Sequence, residues 1–129
     1  MTAIPRLVAL LAAGACHGAG AQTVITNPGF TLAAADVRGI YVGEKLFAGT
    51  LKLVPVDNIG AQDKFLDSVL KVDSGKYNLI WAKKSFREGV NPPQAKATDG
   101  DVVDFVRRTP GAVGYIIDSA KATGVNIVK

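Results

Sequence analysis

Cysteine and histidine are nearly absent from this sequence. The 129 residues include one of each, Cys16 and His17, both near the start. Beyond them, no side chain can serve as a thiolate nucleophile, an imidazole base or an ordinary zinc ligand. Acid–base chemistry would depend on Asp, Glu, Lys or Tyr, and no pair of carboxylates stands out by its spacing. The sequence therefore predicts a protein that is not an enzyme and that uses no metal or cofactor.

The sequence also has no strong excess of positive or negative charge. Fifteen basic residues stand against eleven acidic ones, for a net charge of +4. The basic residues cluster only at 83–87 and at 107–108, and both clusters are typical of solvated helix ends. The sequence therefore predicts no nucleic-acid partner. Three residues of the first cluster could still attract an anion or an acidic partner: Lys83, Lys84 and Arg87.

Long hydrophobic runs are missing as well. The apolar run at residues 7–13 (LVALLAA) is much shorter than the roughly 20 residues that a spanning helix needs. Arg6 precedes this run, and Ala19-Gly20-Ala21 follows it. A positive start, a short apolar stretch and a small-x-small site are typical of a secretory signal peptide. We expect cleavage after Ala21, which leaves Gln22 as the first residue of a periplasmic protein.

The alternative is a lipoprotein with its lipid on Cys16. Ala13 stands where such sites usually have Leu, so cleavage after Ala21 is the preferred prediction. Cleavage also removes Arg6, which lowers the net charge by one. Residues 22–129 then form one domain, which is long enough to bury a modest core.

After the leader, strand-like and helix-like segments alternate. Thr98 precedes one predicted helix, and Asp101 stands at the capping-box position. Trp81 is predicted to lie in the core. Gly111 and Gly114 are predicted to allow a tight turn and close packing. The predicted strands cover 23–26, 51–56, 112–117 and 125–128, and the predicted helices cover 33–42, 61–71, 74–84 and 98–108. This order predicts an α/β fold with a central mixed sheet flanked by helices.

Four segments, in order, resemble the phosphate-type periplasmic substrate-binding proteins of ABC transporters. The most specific is residues 109–115 (TPGAVGY), which is very like the family's Pro-Gly-Ala-Ile-Gly-Tyr. The others are residues 24–28 (VITNP), 32–43 (LAAADVRGIYVG) and 54–57 (VPVD) followed by Gly60 and Phe65. The resemblance is closest to short, stand-alone relatives. It implies one lobe of a fold that in full-length members has two lobes with an anion between them.

The resemblance places an anion site in the loop after residue 57, but with altered side chains. Where the family has an Arg and then Ser-Gly-Thr, this chain has Pro55 and then Ile59, Gly60 and Ala61. What remains is the set of N–H groups at the start of the predicted helix 61–71. The ligand-binding residues that follow from this comparison are Asn58, Gly60, Ala61 and Gln62, with Asn27 from the turn after the first strand.

Two functions remain open at this point. In the first, the domain binds phosphate or a similar small oxyanion for ABC-type uptake or sensing, alone or as a homodimer that rebuilds the cleft. In the second, the lobe has lost its ligand and is an interaction module that docks on a membrane receptor, sensor or transporter. The family favours the first function, and the loss of the side-chain ligands favours the second.

Overall fold

The structure is a computed structural model that describes residues 22–129. The predicted signal peptide, its cleavage after Ala21 and the alternative lipid on Cys16 all lie outside the described residues. Within residues 22–129, no helix has the length and apolar character needed to cross a membrane.

Strands and helices alternate along the described chain, as the sequence predicts. The strands are β1 (Thr23–Thr26), β2 (Phe47–Ala48), β3 (Leu51–Lys52), β4 (Val54–Asn58), β5 (Gln94–Lys96), β6 (Ala112–Ile116) and β7 (Asn126–Ile127). The helices are α1 (Val37–Tyr41), α2 (Gln62–Phe65, continued by a π-helical turn over Leu66–Leu70), α3 (Ser74–Glu88) and α4 (Asp99–Arg108). Short 3-10 turns cover Ala34–Asp36 and Ser119–Lys121.

Five of the strands form one mixed sheet in the order β5-β4-β6-β1-β7. β4 runs parallel to both β5 and β6, whereas β1 runs antiparallel to β6 and β7. β2 and β3 form a separate two-stranded hairpin. The predicted α/β class, with a central mixed sheet flanked by helices, is confirmed.

Side-chain caps set the starts of the two longer helices. The Asp73 carboxylate accepts the amide of Lys76 at 2.8 Å before α3, and the Thr98 hydroxyl accepts the amide of Asp101 at 3.1 Å before α4. These bonds satisfy amides that have no intrahelical acceptor. α3 runs four residues past its predicted end and stops where Gly89 adopts the left-handed conformation.

The strand predicted at 51–56 differs from the observed structure. Leu53 separates β3 from β4 because its amide donates to the carbonyl of Leu46 across the hairpin, at 2.9 Å. β4 then continues two residues further than predicted, to Asn58. β5 was not predicted, since its short and largely exposed sequence (QAK) has no apolar alternation.

Two core clusters cover the two faces of the sheet. β6 separates them, because Val113 and Tyr115 contribute to one cluster and Ala112 and Ile116 to the other. The cluster under α1, α2 and α3 is aromatic, and it contains Tyr41, Phe65, Tyr77 and Trp81. The cluster under α4 is aliphatic, and it contains Ile25, Val56, Val102 and Val106. The prediction that Trp81 lies in the core is confirmed.

The two glycines of the 109–115 motif occupy crowded positions. A Cβ on Gly111, which has a φ of 81°, would lie 2.1 Å from the carbonyl oxygen of Lys52. A Cβ on Gly114 would lie 2.6 Å from Val102 and 3.1 Å from Val106. Gly111 therefore permits the turn into β6, and Gly114 permits α4 to pack closely on the sheet.

Candidate functional site

The carboxyl ends of β4 and β5 lie next to each other, and the helices that follow them pack on opposite faces of the sheet. β4 leads into α2, whose Phe65 packs in the aromatic cluster, whereas β5 leads into α4, whose Val102 packs in the aliphatic cluster. The strand order also reverses at β4, which has β5 on one side and β6 on the other, so the loop after β4 lies beside the reversal. In open α/β sheets, ligands bind at the carboxyl edge beside such a reversal. We call this place the β4–β5 crevice: the loop 59–61, the start of α2, the end of β5 at Lys96 and the start of α4 at Asp99.

Asn58 holds the crevice together. Its side chain is 1% exposed, and its Nδ2 donates to Asp99 Oδ1 at 2.8 Å and to the carbonyl of Tyr115 at 3.1 Å. Its Oδ1 accepts the amide of Gly60 at 3.1 Å. The side chain thus links β4, β6 and α4 and shapes the loop. The structure gives this predicted ligand residue a full set of internal partners.

The amides of the loop are also largely occupied. Ile59 donates to the carbonyl of Lys96 at 2.9 Å, and Ala61 donates to the carbonyl of Asn58 at 3.0 Å. Gly60 donates to Asn58 as described above. Gln62, in the first turn of α2, is the next position whose amide has no intrahelical acceptor. An anion held by residues 58–62 would therefore depend chiefly on Gln62.

A buried carboxylate lies beneath this loop. Asp57, at 3% exposure, accepts the hydroxyl of Tyr77 at 2.8 Å and that of Tyr115 at 2.7 Å, and it also accepts a hydrogen bond from the Gln62 side chain. Burial raises the pKa of Asp57, and the three hydrogen bonds oppose that rise. Burial, followed by the charge of Asp57, raises the pKa of both tyrosines. Sequence reasoning missed this cluster, whose only signal is an acidic residue at the end of an apolar strand.

Asp99 is the second carboxylate of the crevice. Besides Asn58, it accepts the amides of Ile117 at 3.0 Å and Asp118 at 2.9 Å. Burial raises the pKa of Asp99, but these three hydrogen bonds and the charge of Lys121 outweigh burial, and the net shift is downward. Asp99 thus remains ionised and fixes the loop that follows β6.

A cleft of about 470 Å³ opens beside the crevice, between α3 and β5. Asp57 and Gln62 line it from the sheet, and α3 and the segment before β5 supply the other walls. These are formed by Tyr77, Asn78, Trp81, Ala82, Ser85, Pro92, Pro93 and Ala95. Gln62 therefore lies between the crevice and this cleft, and its side chain contacts the buried carboxylate.

The structure does not bring Asn27 to the crevice. β1 is antiparallel to β6, and the amide of Asn27 donates to the carbonyl of Ala112 at the amino end of β6. The Asn27 side chain donates to the carbonyls of Val106 and Arg107 at 3.0 and 3.2 Å. It therefore caps the last turn of α4, at the opposite edge of the sheet from Asn58.

The three basic residues predicted to attract anions lie on α3, and none of them lines the cleft. Lys84 pairs with Glu88, with 3.2 Å between Nζ and Oε2. Lys83 lines a separate depression together with Leu79, and Arg87 is exposed. By helical spacing, Lys83 and Arg87 lie on a different side of α3 from Asn78 and Ser85, which line the cleft.

No family model matches this sequence, and no curated protein matches it. Among solved structures, the fold is similar to that of an ABC-type phosphate transport receptor from Vibrio cholerae. The TM-score is 0.57 at 15% sequence identity, and the match covers 84% of this chain and 45% of the receptor chain. This chain thus spans less than half of the receptor's length. The likeness shows the fold, which is one lobe of the periplasmic-binding type.

Proposed function

We propose that this chain is a solute-binding domain that holds phosphate or a similar small oxyanion at the β4–β5 crevice. The observation that supports the proposal best is the position of the loop 59–61. It lies at the carboxyl edge of β4, beside the point where the strand order reverses, and it leads directly into α2. The fold shared with a phosphate transport receptor agrees with this role. The partner we propose is a membrane transporter or sensor, and the role is not enzymatic.

The proposed site binds its anion weakly. The amide and side chain of Gln62 offer donors, and the dipole of α2 favours negative charge. Pro55, in β4, stands where the family that the sequence resembles has Arg, so one bidentate charged contact is missing. Such a contact contributes roughly 1.5–3 kcal/mol, and its loss weakens binding by roughly 10- to 100-fold. We expect a Kd on the order of 0.1–1 mM or weaker, with strong salt dependence.

An NMR titration of residues 22–129 with phosphate, and separately with sulfate, tests this site. Amide shifts concentrated on residues 59–63 support the proposal. An absence of shifts at a tenfold excess over the expected Kd, or shifts confined to other regions, would contradict it.

A matched pair of variants at Gly60 sharpens the titration. Gly60 is exposed, and a Cβ there makes only an ordinary 3.6 Å contact with Asn58. Gly60→Asp adds a charge that repels an anion at the start of α2, whereas Gly60→Asn adds nearly the same shape without the charge. Ala61 is unsuitable for this purpose, because it is 2% exposed and a carboxylate there would disturb the core. Equal phosphate affinity in the two Gly60 variants would place any anion elsewhere.

The second candidate function is an interaction module that docks on a membrane protein. Two large apolar residues flank the crevice, and both are exposed: Ile59 after β4, at 62%, and Ile117 after β6, at 57%. Together with the internally paired amides of the loop, this pair suits a protein surface better than an anion. A homodimer that closes the crevice would bury the same two residues.

Sedimentation equilibrium of residues 22–129 distinguishes the homodimer from other partners. A dimer that forms with rising concentration, and that Ile59→Ser and Ile117→Ser weaken, supports closure by a second copy. A monomer at all concentrations that also shows no phosphate shifts leaves docking on a membrane protein as the better function.

Export to the periplasm, with Gln22 as the first residue, is part of the proposal. The intact mass of the exported protein tests it. A mass that includes residues 1–21, or a lipid on Cys16, would contradict it.

A further inference from the structure

The outward face of α3 carries apolar and basic residues side by side. Leu79 and Phe86 are seven residues apart and so lie on the same side of the helix, about 10 Å from each other along its axis. Phe86 is 93% exposed and Leu79 is 53% exposed. The basic residues of this face are Lys76, Lys83 and Arg87, and all three are exposed. We call these five residues the α3 outer face.

The inner side of α3 accounts for the packing of the helix on the domain. Tyr77 and Trp81 are buried at 3% and 4% exposure. The Tyr77 hydroxyl donates to Asp57, and Trp81 Nε1 donates to the carbonyl of Tyr41 at 2.9 Å. The α3 outer face therefore contributes little to the core of the described domain. A single exposed apolar residue is normal on a protein surface, so what indicates a partner is the combination of Phe86 and Leu79 with three basic residues on one side of the helix.

The basic residues of the α3 outer face have one acidic neighbour, Asp73, but form no ion pair with it. Lys76, Lys83 and Arg87 form none of the ion pairs found among residues 22–129. The acidic residue within α3, Glu88, pairs with Lys84 instead. Asp73, before the helix, accepts the amide of Lys76 as its cap. The face thus combines unpaired positive charge with exposed apolar area.

A depression on this face is lined by apolar and charged side chains next to each other. It measures about 460 Å³, and it is lined by Lys76, Leu79, Ile80 and Lys83 of α3 together with Gly75 and the capping residue Asp73. Apolar side chains next to cationic ones suit a lipid, which places acyl chains next to an anionic headgroup. An exposed basic and apolar helix face is typical of helices that lie at the membrane surface.

We propose that the α3 outer face binds the surface of an anionic lipid bilayer. Phe86 and Leu79 enter the interfacial region, and Lys76, Lys83 and Arg87 contact the headgroups. A bilayer is favoured over an acidic protein because the face is one exposed side of a single helix, which a fluid surface can accept without a matching shape. This proposal is independent of the oxyanion site, since none of the five residues lines the β4–β5 crevice or the adjacent cleft.

The test is co-sedimentation of residues 22–129 with vesicles. This segment contains the whole sheet and both core clusters, and it omits the apolar run at residues 7–13, which would itself bind lipid. A circular dichroism melt verifies that it folds. We expect binding to vesicles of phosphatidylcholine with 30–40% phosphatidylglycerol (roughly the anionic content needed for a strong surface potential), little binding to pure phosphatidylcholine, and release by high salt.

Matched variants locate the bound face. Phe86→Ser should weaken partitioning about tenfold, and Lys83→Gln should weaken it about fivefold. Ile127→Ser and Lys45→Gln are the controls, because they remove an exposed apolar residue and a basic residue outside α3. Phe86→Ser should keep the wild-type melting temperature, since its ring is almost fully exposed.

Three outcomes would overturn the proposal. The first is no sedimentation with either vesicle, and the second is equal sedimentation with both. The third is an equal loss of binding in Phe86→Ser and Ile127→Ser. If residues 22–129 bind an acidic peptide such as polyglutamate through Phe86 but do not bind vesicles, the partner is an acidic protein and the lipid assignment is wrong.

Discussion

The two faces of the central sheet differ in the hydrogen bonds that their buried polar residues form. Two consecutive residues, Asp57 and Asn58, show the difference. Asn58 faces α4, where the backbone amides of residues 117 and 118 fix its partner Asp99. Asp57 faces α3, where its partners are the phenol groups of Tyr77 and Tyr115. Backbone donors cannot be exchanged, whereas phenol side chains can rotate or be substituted.

The packing around these two residues is also tighter on the α4 side of the sheet than on the α3 side. On the α4 side the packing is aliphatic and so close that Gly114 leaves no room for a Cβ. On the α3 side the packing is aromatic, with the rings of Phe65 and Tyr115 stacked at 3.8 Å, and a cleft of about 470 Å³ adjoins it. We infer that the α4 side maintains the fold and that the α3 side is where ligand or partner chemistry can vary.

The largest expected effect is at Gly114. Gly114→Val places a Cβ 2.6 Å from Val102 and 3.1 Å from Val106, so α4 must move away from the sheet. Overpacking of this kind costs about 1–3 kcal/mol or more, and we expect the upper end because the contacts lie in a fully buried strand. A thermal melt of residues 22–129 measures this loss of stability as a lower melting temperature.

The control for this change lies at an open glycine. Gly49, unlike Gly114, has a positive φ, of 63°, and a Cβ there meets no atom within 4 Å. Gly49→Ala should therefore show only the modest strain of a side chain in that conformation. An unchanged melting temperature for Gly114→Val would remove the distinction between a tight and an open face of the sheet.

The second expected effect is at Asn58. Asn58→Ala leaves the carbonyl of Tyr115 and the amide of Gly60 without this partner, and it removes one of three donors from Asp99. Each unsatisfied buried group costs about 1–3 kcal/mol, so we expect a loss of roughly 2–3 kcal/mol in the free energy of unfolding. Urea denaturation measures this loss. A loss below that of Tyr77→Phe would show that the α4 side is not the more constrained one.

The sequence predicted most of the fold because the decisive signals are local. Thr98 and Asp101 are three residues apart, and the apolar run of β6 is continuous in the chain. The site depends on contacts between distant residues. Asp57 meets Tyr77 and Tyr115, which are 20 and 58 residues away, and Asn58 meets Asp99, which is 41 away.

The same reasoning explains why the predicted anion loop looked more open than it is. From the sequence, a helix begins at Ala61 after Gly60, and the N–H groups at its start should be free. In the structure Asn58 folds back on this loop and accepts both amides, one through its side chain and the other through its carbonyl. Asn favours such local turns, but the choice of partner depends on the packing of Asn58 against α4.

The smallest expected effect is at Tyr77, and it depends on pH. Tyr77→Phe removes one donor from Asp57 while keeping the ring. A hydrogen bond to an ionised group contributes about 1.5–3 kcal/mol and one between neutral groups about 0.5–1.5, and the Tyr115 and Gln62 donors that remain limit the loss. We expect a loss of about 1–2 kcal/mol at pH 7 and a smaller loss near pH 4.

The sign follows from the pKa of Asp57, which burial raises above its ordinary value of 3.8. A carboxyl group with a raised folded-state pKa costs no stability below its unfolded pKa, and it destabilises the fold as pH rises through the two values. The Tyr77 hydroxyl opposes this loss by stabilising the ionised form. Removing it therefore raises the pKa of Asp57 further and makes stability fall more steeply as pH rises above the ordinary value of that pKa.

Tyr41→Phe is the matched control, because the Tyr41 hydroxyl donates to the backbone carbonyls of Val56 and Val113 instead of to a carboxylate. Its cost should be nearly the same at both pH values. Urea denaturation of both variants at pH 4 and pH 7 makes the comparison. If the cost of Tyr77→Phe is as independent of pH as that of Tyr41→Phe, then Asp57 keeps one protonation state across this range, and its cluster is as fixed as the Asn58–Asp99 link on the other side of the sheet.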